Sequence, residues 1–286
     1  MSETAAPDVP ADWAEAIQDI LSGGVQRVVV LGPPDAGKSS FCRALLGEAI
    51  RIEQAVVLID ADVGQKTVGP PAAVTLAHAD RSRTLAGLAF VGTTDPVRGL
   101  SRIVAGTRRL LLEAGVSPVI VNTGGLLAGA GRRLKAAKLA AVRPELIVTL
   151  GADPNLDTIL DRHPVFPVIR LASSPQARRK TSAHRRRARE EAFRRYFQNA
   201  SVWHLDASGI QGADIPERLL VGFADDSGRD LAMGILLGLQ REQHRLDLFG
   251  PDLVGTAISV IPGMLRLDEN FRDFPANEAL LRNLPP

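Results

Sequence analysis

Little in this chain can crosslink, cage a metal or stack bases. Among 286 residues there are one cysteine, Cys42, one tyrosine and two tryptophans, and aromatics make up 4% of the whole. A lone cysteine excludes an internal disulfide and a cysteine-rich metal site, so nothing calls for an oxidising compartment. So few aromatics argue against a long stacking platform for single-stranded nucleic acid. The longest uncharged stretch, 114–131, carries five glycines, Pro118 and Asn122, whereas a membrane span wants about 20 mainly apolar residues. No membrane partner is therefore expected. The first 13 residues hold Glu3, Asp8 and Asp12 and no basic residue, the reverse of a secretory leader. A cytoplasmic protein that stays where it is made is the expectation.

What is present has the balance of an ordinary globular protein, 45% hydrophobic and 23% charged. At this length one large α/β domain with a smaller annex fits better than two equal domains, because single cores stop growing near roughly 250–300 residues. The net charge of +2 is unevenly placed: between Arg178 and Arg195 nine Lys and Arg face only Glu190 and Glu191. The rest of the chain is therefore acidic. One concentrated cationic element on such a body suits a specific anionic partner, although a solvated helix face produces the same pattern.

Hydrophobic periodicity orders the chain. Trp13, Ile17, Ile20 and Leu21 fall at helical spacing and stop at Gly23-Gly24, which predicts a lead-in helix within 1–24. The run 28–31 reads as a buried strand. Runs of the same kind follow at 55–59, 88–91, 118–121, 146–150 and 168–171, alternating with helical patterns around 97–111 and 134–142. This predicts an α/β domain over 25–200, a parallel sheet with helices on both faces. Beyond 201 the texture changes to short apolar segments at 202–205, 219–223, 231–239, 246–249, 257–261 and 264–267, parted by turn residues such as Asp225-Asp226-Ser227-Gly228 and Pro262-Gly263. A small, mainly-β C-terminal domain over 201–286 is expected, with a loosely held tail after Phe274.

Gly32-Pro33-Pro34-Asp35-Ala36-Gly37-Lys38-Ser39 matches G-x-x-x-x-G-K-[ST] between the first strand and a helical run at 40–46, the setting a P-loop requires. Backbone N–H groups over Gly32, Asp35, Ala36, Gly37 and Ser40 can approach phosphate oxygens at a helix N-terminus. Lys38 then reaches the outer phosphates, and the Ser39 hydroxyl ligates Mg²⁺. The second strand ends in Asp60-Ala61-Asp62-Val63-Gly64-Gln65. Carboxylates delivered to the C-terminal edge of a sheet beside a P-loop stand where a metal-holding acid and a catalytic base belong; a capping aspartate at a turn is the plainer alternative. No N-K-x-D follows a core strand, and Thr149-Leu150-Gly151-Ala152-Asp153 stands in its place, which counts against a GTP switch. The five histidines (78, 163, 184, 204, 244) show no ligand spacing.

Four blocks together resemble the polynucleotide 5′-hydroxyl kinase family, which includes the kinase subunit of the eukaryotic pre-mRNA cleavage factor and the nucleolar pre-rRNA-processing kinases. The P-loop resembles the family's G-P-x-D-x-G-K-[ST], and 60–65 its D-x-D-x-G-Q. Val121-Asn122-Thr123-Gly124-Gly125-Leu126, followed by Gly129 and Gly131, resembles its V-N-T-x-G-W. Lys180-Thr181 through Arg185, Arg186 and Arg189 to Tyr196-Phe197 is similar to its arginine-rich lid, here about 174–197. Gly92-Thr93-Thr94-Asp95-Pro96 resembles a G-x-x-x-P loop at the acceptor site, and 219–223 with 233–237 look like the family's C-terminal domain. The likeness spans roughly 25–267.

The resemblance implies a P-loop NTPase fold that uses ATP, or GTP, with Mg²⁺. It implies Lys38 and Ser39 as phosphate and Mg²⁺ ligands, Asp60 supporting the metal, and Gln65 at the nucleotide. Asp62 would deprotonate an incoming 5′-hydroxyl, Arg185 and Arg189 would act on the transferring phosphoryl, and Thr123, Gly124 and Arg186 would meet the substrate. The implied partner is single-stranded or duplex-end RNA or DNA with a free 5′-OH. The spacing of the two arginines also has its own physical sense. Four apart on a helix they share a face, and stabilisation of that type gives about 10³–10⁵ in rate in related transfers.

Two departures matter. Leu126 stands where the family pattern has Trp, removing an aromatic surface whose stacking contributes roughly 1–3 kcal/mol per base. About 26 residues precede the first strand, fewer than the family's N-terminal domain, so docking through that domain is expected to be lost. Two rival readings follow. One is a nucleotide-binding assembly factor that transfers no phosphate, against which Lys38, Asp62 and the lid arginines speak. The other is a P-loop kinase of a small hydroxyl-bearing molecule, which Leu126 favours.

Overall fold

Apolar runs of four to six residues, continuous where a surface strand would alternate, set the frame of the first sheet. The computed structural model describes residues 9–79, 84–206, 216–252 and 259–277. Its elements run α1 (Ala11–Ser22), β1 (Arg27–Leu31), α2 (Lys38–Arg51), β2 (Val57–Ala61), β3 (Ala73–His78), β4 (Leu85–Phe90), α3 (Leu100–Glu113), β5 (Val119–Thr123), α4 (Ala130–Val142), β6 (Leu146–Leu150), α5 (Pro154–Asp161), β7 (Val168–Leu171) and α6 (Ser182–Tyr196). Every residue of β2, β5 and β6 is buried.

The strand order is β4-β3-β2-β5-β1-β6-β7. β1 pairs in parallel with β5 and β6, β2 with β5, and β6 with β7. Right-handed crossovers leading from β1 to β2 in one direction and from β5 to β6 in the other put α2 and α4 on opposite faces. The expected parallel sheet with helices on both faces is thus present, with one addition. β3, which no sequence pattern announced, runs antiparallel to β2. Its two alanines have weak β propensity, and burial from Ala73 to Ala77 comes from the sheet around it.

Six further strands form an antiparallel sheet: β8 (Ser201–Asp206), β9 (Leu219–Ala224), β10 (Asp230–Gln240), β11 (Arg245–Gly250), β12 (Ser259–Leu267) and β13 (Asp273–Pro275), ordered β13-β12-β9-β10-β11-β8. Leu219, Val221, Phe223, Leu236 and Leu248 form its core, with Trp203 packed against them. The segments 257–261 and 264–267 were expected as two strands parted by Pro262-Gly263; 257 and 258 lie outside the described residues. Instead β12 continues through the pair, with a register shift between Pro262 and Arg266. The cause is Phe90, whose ring would lie 3.1 Å from a Cβ at Gly263 and 2.5 Å from one at Gly222. Pro-Gly here makes a bulge that admits a side chain. Of the tail expected to be loosely held after Phe274, Pro275 pairs with Leu265 of β12; residues from 278 lie outside the described set.

The chain divides into two compact units that interleave in sequence, Met1–Asp62, Thr75–Ala86 and Thr107–Lys180 against Val63–Val74, Gly87–Gly106 and Thr181–Pro286. The P-loop belongs to the first and α6 to the second. Among the described residues no helix is long and apolar enough to cross a membrane.

Candidate active site

In the first unit the glycine cradle is fixed from behind. Gly37 caps α2 with φ +97°, and Asp35 takes a left-handed φ of +62°. A Cβ at Gly37 would lie 2.7 Å from the Trp13 ring, so only glycine fits. Trp13 is 2% exposed, meets Phe41 edge-on at 5.6 Å and donates its indole N–H to the Ala172 carbonyl at 3.0 Å. The lead-in helix therefore buttresses the cradle. Lys38 is buried and donates its ammonium to the Pro33 carbonyl at 2.6 Å. The Asp35 carboxylate accepts from the Lys180 amide at 3.1 Å.

Behind the cradle, strand register brings the acids together. Asp60 and Asn122 are partners across β2 and β5, and both are fully buried. The Asn122 side-chain amide donates to Asp60 Oδ1 at 3.0 Å and to Ser39 Oγ at 3.3 Å. Its own carbonyl oxygen is buried and, among the described residues, has no hydrogen-bond partner. Asp60 Oδ1 also accepts from the Asp62 amide at 3.1 Å, so the chain turns and Asp62 faces elsewhere. A Cβ at Gly124 would touch the Asp62 carboxylate at about 3.5 Å. The two aspartates thus occupy different places, one beneath the cradle and one against the loop after β5. Cys42 lies close enough that burial first, and the Asp60 charge second, push its thiol pKa upward.

Ser39 Oγ and Asp60, bridged by the Asn122 amide nitrogen, are oxygen donors, which suit a hard divalent cation such as Mg²⁺. Among the described residues no group of three or more His, Cys, Asp or Glu is assembled. Mg²⁺ at a phosphate site needs only one or two carboxylates.

Two lysines complete this centre and were not singled out from the sequence. Lys135 and Lys138 are each 1% exposed on α4, and they donate to the carbonyls of Gly124 at 2.5 Å and Ala61 at 2.8 Å. Burial holds the Lys135 ammonium well below the ordinary lysine pKa, the charges of Lys138 and Lys38 add to that, and Asp62 opposes it. The signal was available: these lysines lie between Leu134, Leu139 and Val142, on the stripe of α4 that faces the core. Thr123, expected at the substrate, is fully buried with its hydroxyl donated to the Val30 carbonyl at 2.8 Å. It pins β5 to β1.

The second unit carries the remaining candidates. Arg185, Arg186 and Arg189 lie on α6, where Thr181 caps the first turn by accepting from the His184 amide at 3.2 Å. Gln65 donates its side-chain amide to the Arg185 carbonyl at 3.1 Å. Arg189 Nε contacts both Asp273 oxygens at 3.0 Å, and Thr94 donates to the same carboxylate at 3.3 Å. At the end of α6 the Tyr196 hydroxyl accepts from the Met233 amide at 2.8 Å, and Phe197 stacks on Phe271 at 5.7 Å. The first unit therefore assembles Lys38, Ser39, Asp60, Asp62 and Gly124, while Gln65 and the three arginines sit in the second.

Residues 32–199 match the family described as mRNA cleavage and polyadenylation factor CLP1 P-loop. The chain belongs to the CLP1 P-loop family. That match runs from the first glycine of the cradle to the end of α6. This CLP1 P-loop chain is similar, at 34% identity over 228 residues, to a polyribonucleotide 5′-hydroxyl-kinase of Pyrococcus furiosus, covering 73% of this chain and 64% of the relative. It is 31% identical over 231 residues to one of Pyrococcus abyssi, covering 77% and 65%. With the human polyribonucleotide 5′-hydroxyl-kinase Clp1 the identity is 26% over 263 residues, covering 82% and 60%. The chain thus spans somewhat less than two thirds of the length of these relatives. Clp1p solved in complex with a Pcf11p fragment has the same fold, with a TM-score of 0.70 at 12% identity, covering 88% of this chain and 77% of that one.

Proposed function

We propose that the chain is a polynucleotide 5′-hydroxyl kinase, with 25–200 as its kinase domain, that moves the γ-phosphate of ATP or GTP to the 5′-OH of RNA or DNA in the cytoplasm. The observation that carries this reading is the separation of the two aspartates. Asp60 is buried under Asn122 beside Ser39, whereas Asp62 lies beside Gly124 on the loop after β5, here called the acceptor loop. Holding a nucleotide needs no second carboxylate; deprotonating an alcohol does. The names of the relatives favour RNA as acceptor.

In this reading the amides of Gly32, Asp35, Ala36, Gly37 and Ser40 cradle the phosphates, and Lys38 exchanges the Pro33 carbonyl for a phosphate oxygen. Ser39 and Asp60 would hold Mg²⁺, which when bound neutralises phosphate charge. Asp62 takes the proton of the 5′-hydroxyl. The O5′–Pγ bond forms, the bond from Pγ to the bridging oxygen breaks, and the nucleoside diphosphate leaves. Gln65 serves the nucleotide, Arg185 and Arg189 stabilise the charge spread over the phosphoryl group, and Arg186 follows the acceptor strand. Closure of the lid excludes water and suppresses hydrolysis.

The test is transfer from γ-labelled ATP with Mg²⁺ to a 5′-hydroxyl oligonucleotide. Asp62→Asn should lower kcat by about 10²–10⁴, and Lys38→Ala should abolish transfer. Unchanged transfer in Asp62→Asn would overturn the assignment. A second reading, a small hydroxyl-bearing acceptor, is favoured by Leu126, which is 38% exposed on the acceptor loop and offers no stacking face. A nucleoside phosphorylated faster than a decamer would decide for it.

A further inference from the structure

The kinase reading uses the acceptor loop but leaves unexplained what holds it in place. Gly124 and Gly125 follow β5 without side chains to anchor them. Gly125 is pressed to the cradle so closely that a Cβ there would lie 2.5 Å from the Pro34 nitrogen. Gly131 is equally tight, because a Cβ there would lie 2.6 Å from both the backbone carbonyl carbon and the Cγ of Leu126. The Lys135 ammonium fastens the Gly124 carbonyl at 2.5 Å, and one turn further along α4 Lys138 fastens the Ala61 carbonyl at 2.8 Å. Those two carbonyls flank Asp62, one immediately before it in the chain and one on the loop beside its carboxylate, where a Cβ at Gly124 would lie 3.5 Å from it.

Burying two ammonium groups at 1% exposure is costly unless they are hydrogen-bonded, and packed methylene residues would serve a plain core better. Their placement has a use that packing alone lacks. A shared helix holds the ends of β2 and β5 at a fixed separation, and so sets the distance from Asp62 to whatever the loop presents.

We propose that Lys135 is a positioning residue for phosphoryl transfer: it clamps the Gly124 carbonyl, holds the acceptor loop against Asp62, and acts with Lys138 as a splint across the two strand ends. This rests on the kinase reading for its catalytic consequence and on geometry alone for the clamp. Lys135→Met keeps the volume and removes the donor. Misplacement of a reacting group by about 1 Å costs around 10²-fold, so kcat with a 5′-hydroxyl oligonucleotide should fall by about that factor. The Kd of a non-hydrolysable ATP analogue should change less than about twofold. Lys135→Gln, which keeps an N–H donor, should restore part of kcat. Arg133→Met, on the exposed side of α4, is the control and should match the wild type.

Two readouts separate this inference from the reading beneath it. Amide exchange over 124–129 in the ligand-free protein should quicken at least tenfold in Lys135→Met while the cradle, 32–39, stays as protected as before. If that happens and the wild type labels no 5′-hydroxyl acceptor, the clamp stands and the kinase reading falls. If the wild type transfers phosphate but Lys135→Met matches it in kcat, acceptor KM and loop exchange, the clamp is overturned. Equal losses of analogue affinity and loop protection, with no rescue by Lys135→Gln, would make Lys135 a general packing residue and would also overturn it.

Discussion

Replacing Asn122 by leucine should leave the fold nearly intact and weaken the use of Mg²⁺. Two donated hydrogen bonds are lost. The one to the buried Asp60 carboxylate is worth about 1.5–3 kcal/mol, and the long one to Ser39 sits near the lower end of about 0.5–1.5 kcal/mol. The substitution also removes a buried carbonyl oxygen that has no partner among the described residues, a group whose burial costs about 1–3 kcal/mol. The opposing contributions leave a net destabilisation of about 0–2 kcal/mol. Asn122→Asp destabilises more. It sets a second carboxylate against Asp60 at hydrogen-bonding range, where like charges about 4 Å apart repel by about 4 kcal/mol at an effective dielectric constant of 20. Urea unfolding at pH 7 measures both. Transfer assayed against Mg²⁺ concentration gives the functional half, with half-saturation rising several-fold in Asn122→Leu because Ser39 and Asp60 are no longer held together. A loss above about 4 kcal/mol in Asn122→Leu, or an unchanged Mg²⁺ requirement, would refute the idea that this amide organises the acids.

Other outcomes follow from single contacts. Burial pushes the Tyr196 hydroxyl up to about 12 from 10.0. A folded pKa above the unfolded one means that stability is fully present below pH 10 and drains away as pH climbs toward 12. The advantage of wild type over Tyr196→Phe should therefore shrink by about 1.4 kcal/mol between pH 9 and pH 11 in urea titrations, and a constant gap would contradict it. Cys42 is fully buried with a raised thiol pKa, so a disulfide reagent at pH 8 should label it only at the unfolding rate; labelling as fast as a free thiol would show the cradle's underside open. Trp13→Ala should cost about 3–5 kcal/mol and weaken ATP-analogue binding together with it, since the ring backs Gly37; full stability with weakened binding would place Trp13 at the ligand instead.

The parts legible in the sequence were those whose signal is local. An apolar run, a glycine-rich turn and a helical stripe follow one another over 28–46, and β1, the cradle and α2 form there. The ends of the central strands were equally plain. What escaped depends on neighbours distant in the chain. Asn122 reads as one letter of a motif, and its bridging role exists only because β5 lies in register with β2. Lys135 and Lys138 could be placed on the core-facing stripe of α4, but not with the strand-end carbonyls of Gly124 and Ala61 as their partners. Pro262-Gly263 has the composition of a turn, and Phe90 makes it a bulge. Arg189 could be read as a cation on a helix face, but not as the partner of Asp273, which lies 84 residues away.

The central claim is that an alcohol at the end of a polynucleotide is the acceptor, with Asp62 as its base. Transfer from γ-labelled ATP to one oligonucleotide bearing a 5′-hydroxyl and to the same strand bearing a 5′-phosphate, followed by nuclease digestion to mononucleotides, tests it most directly. Label is expected on the first strand only, recovered entirely as the 5′-monophosphate of the terminal nucleotide. Inorganic phosphate released equally with both strands, and no labelled nucleotide, would contradict it.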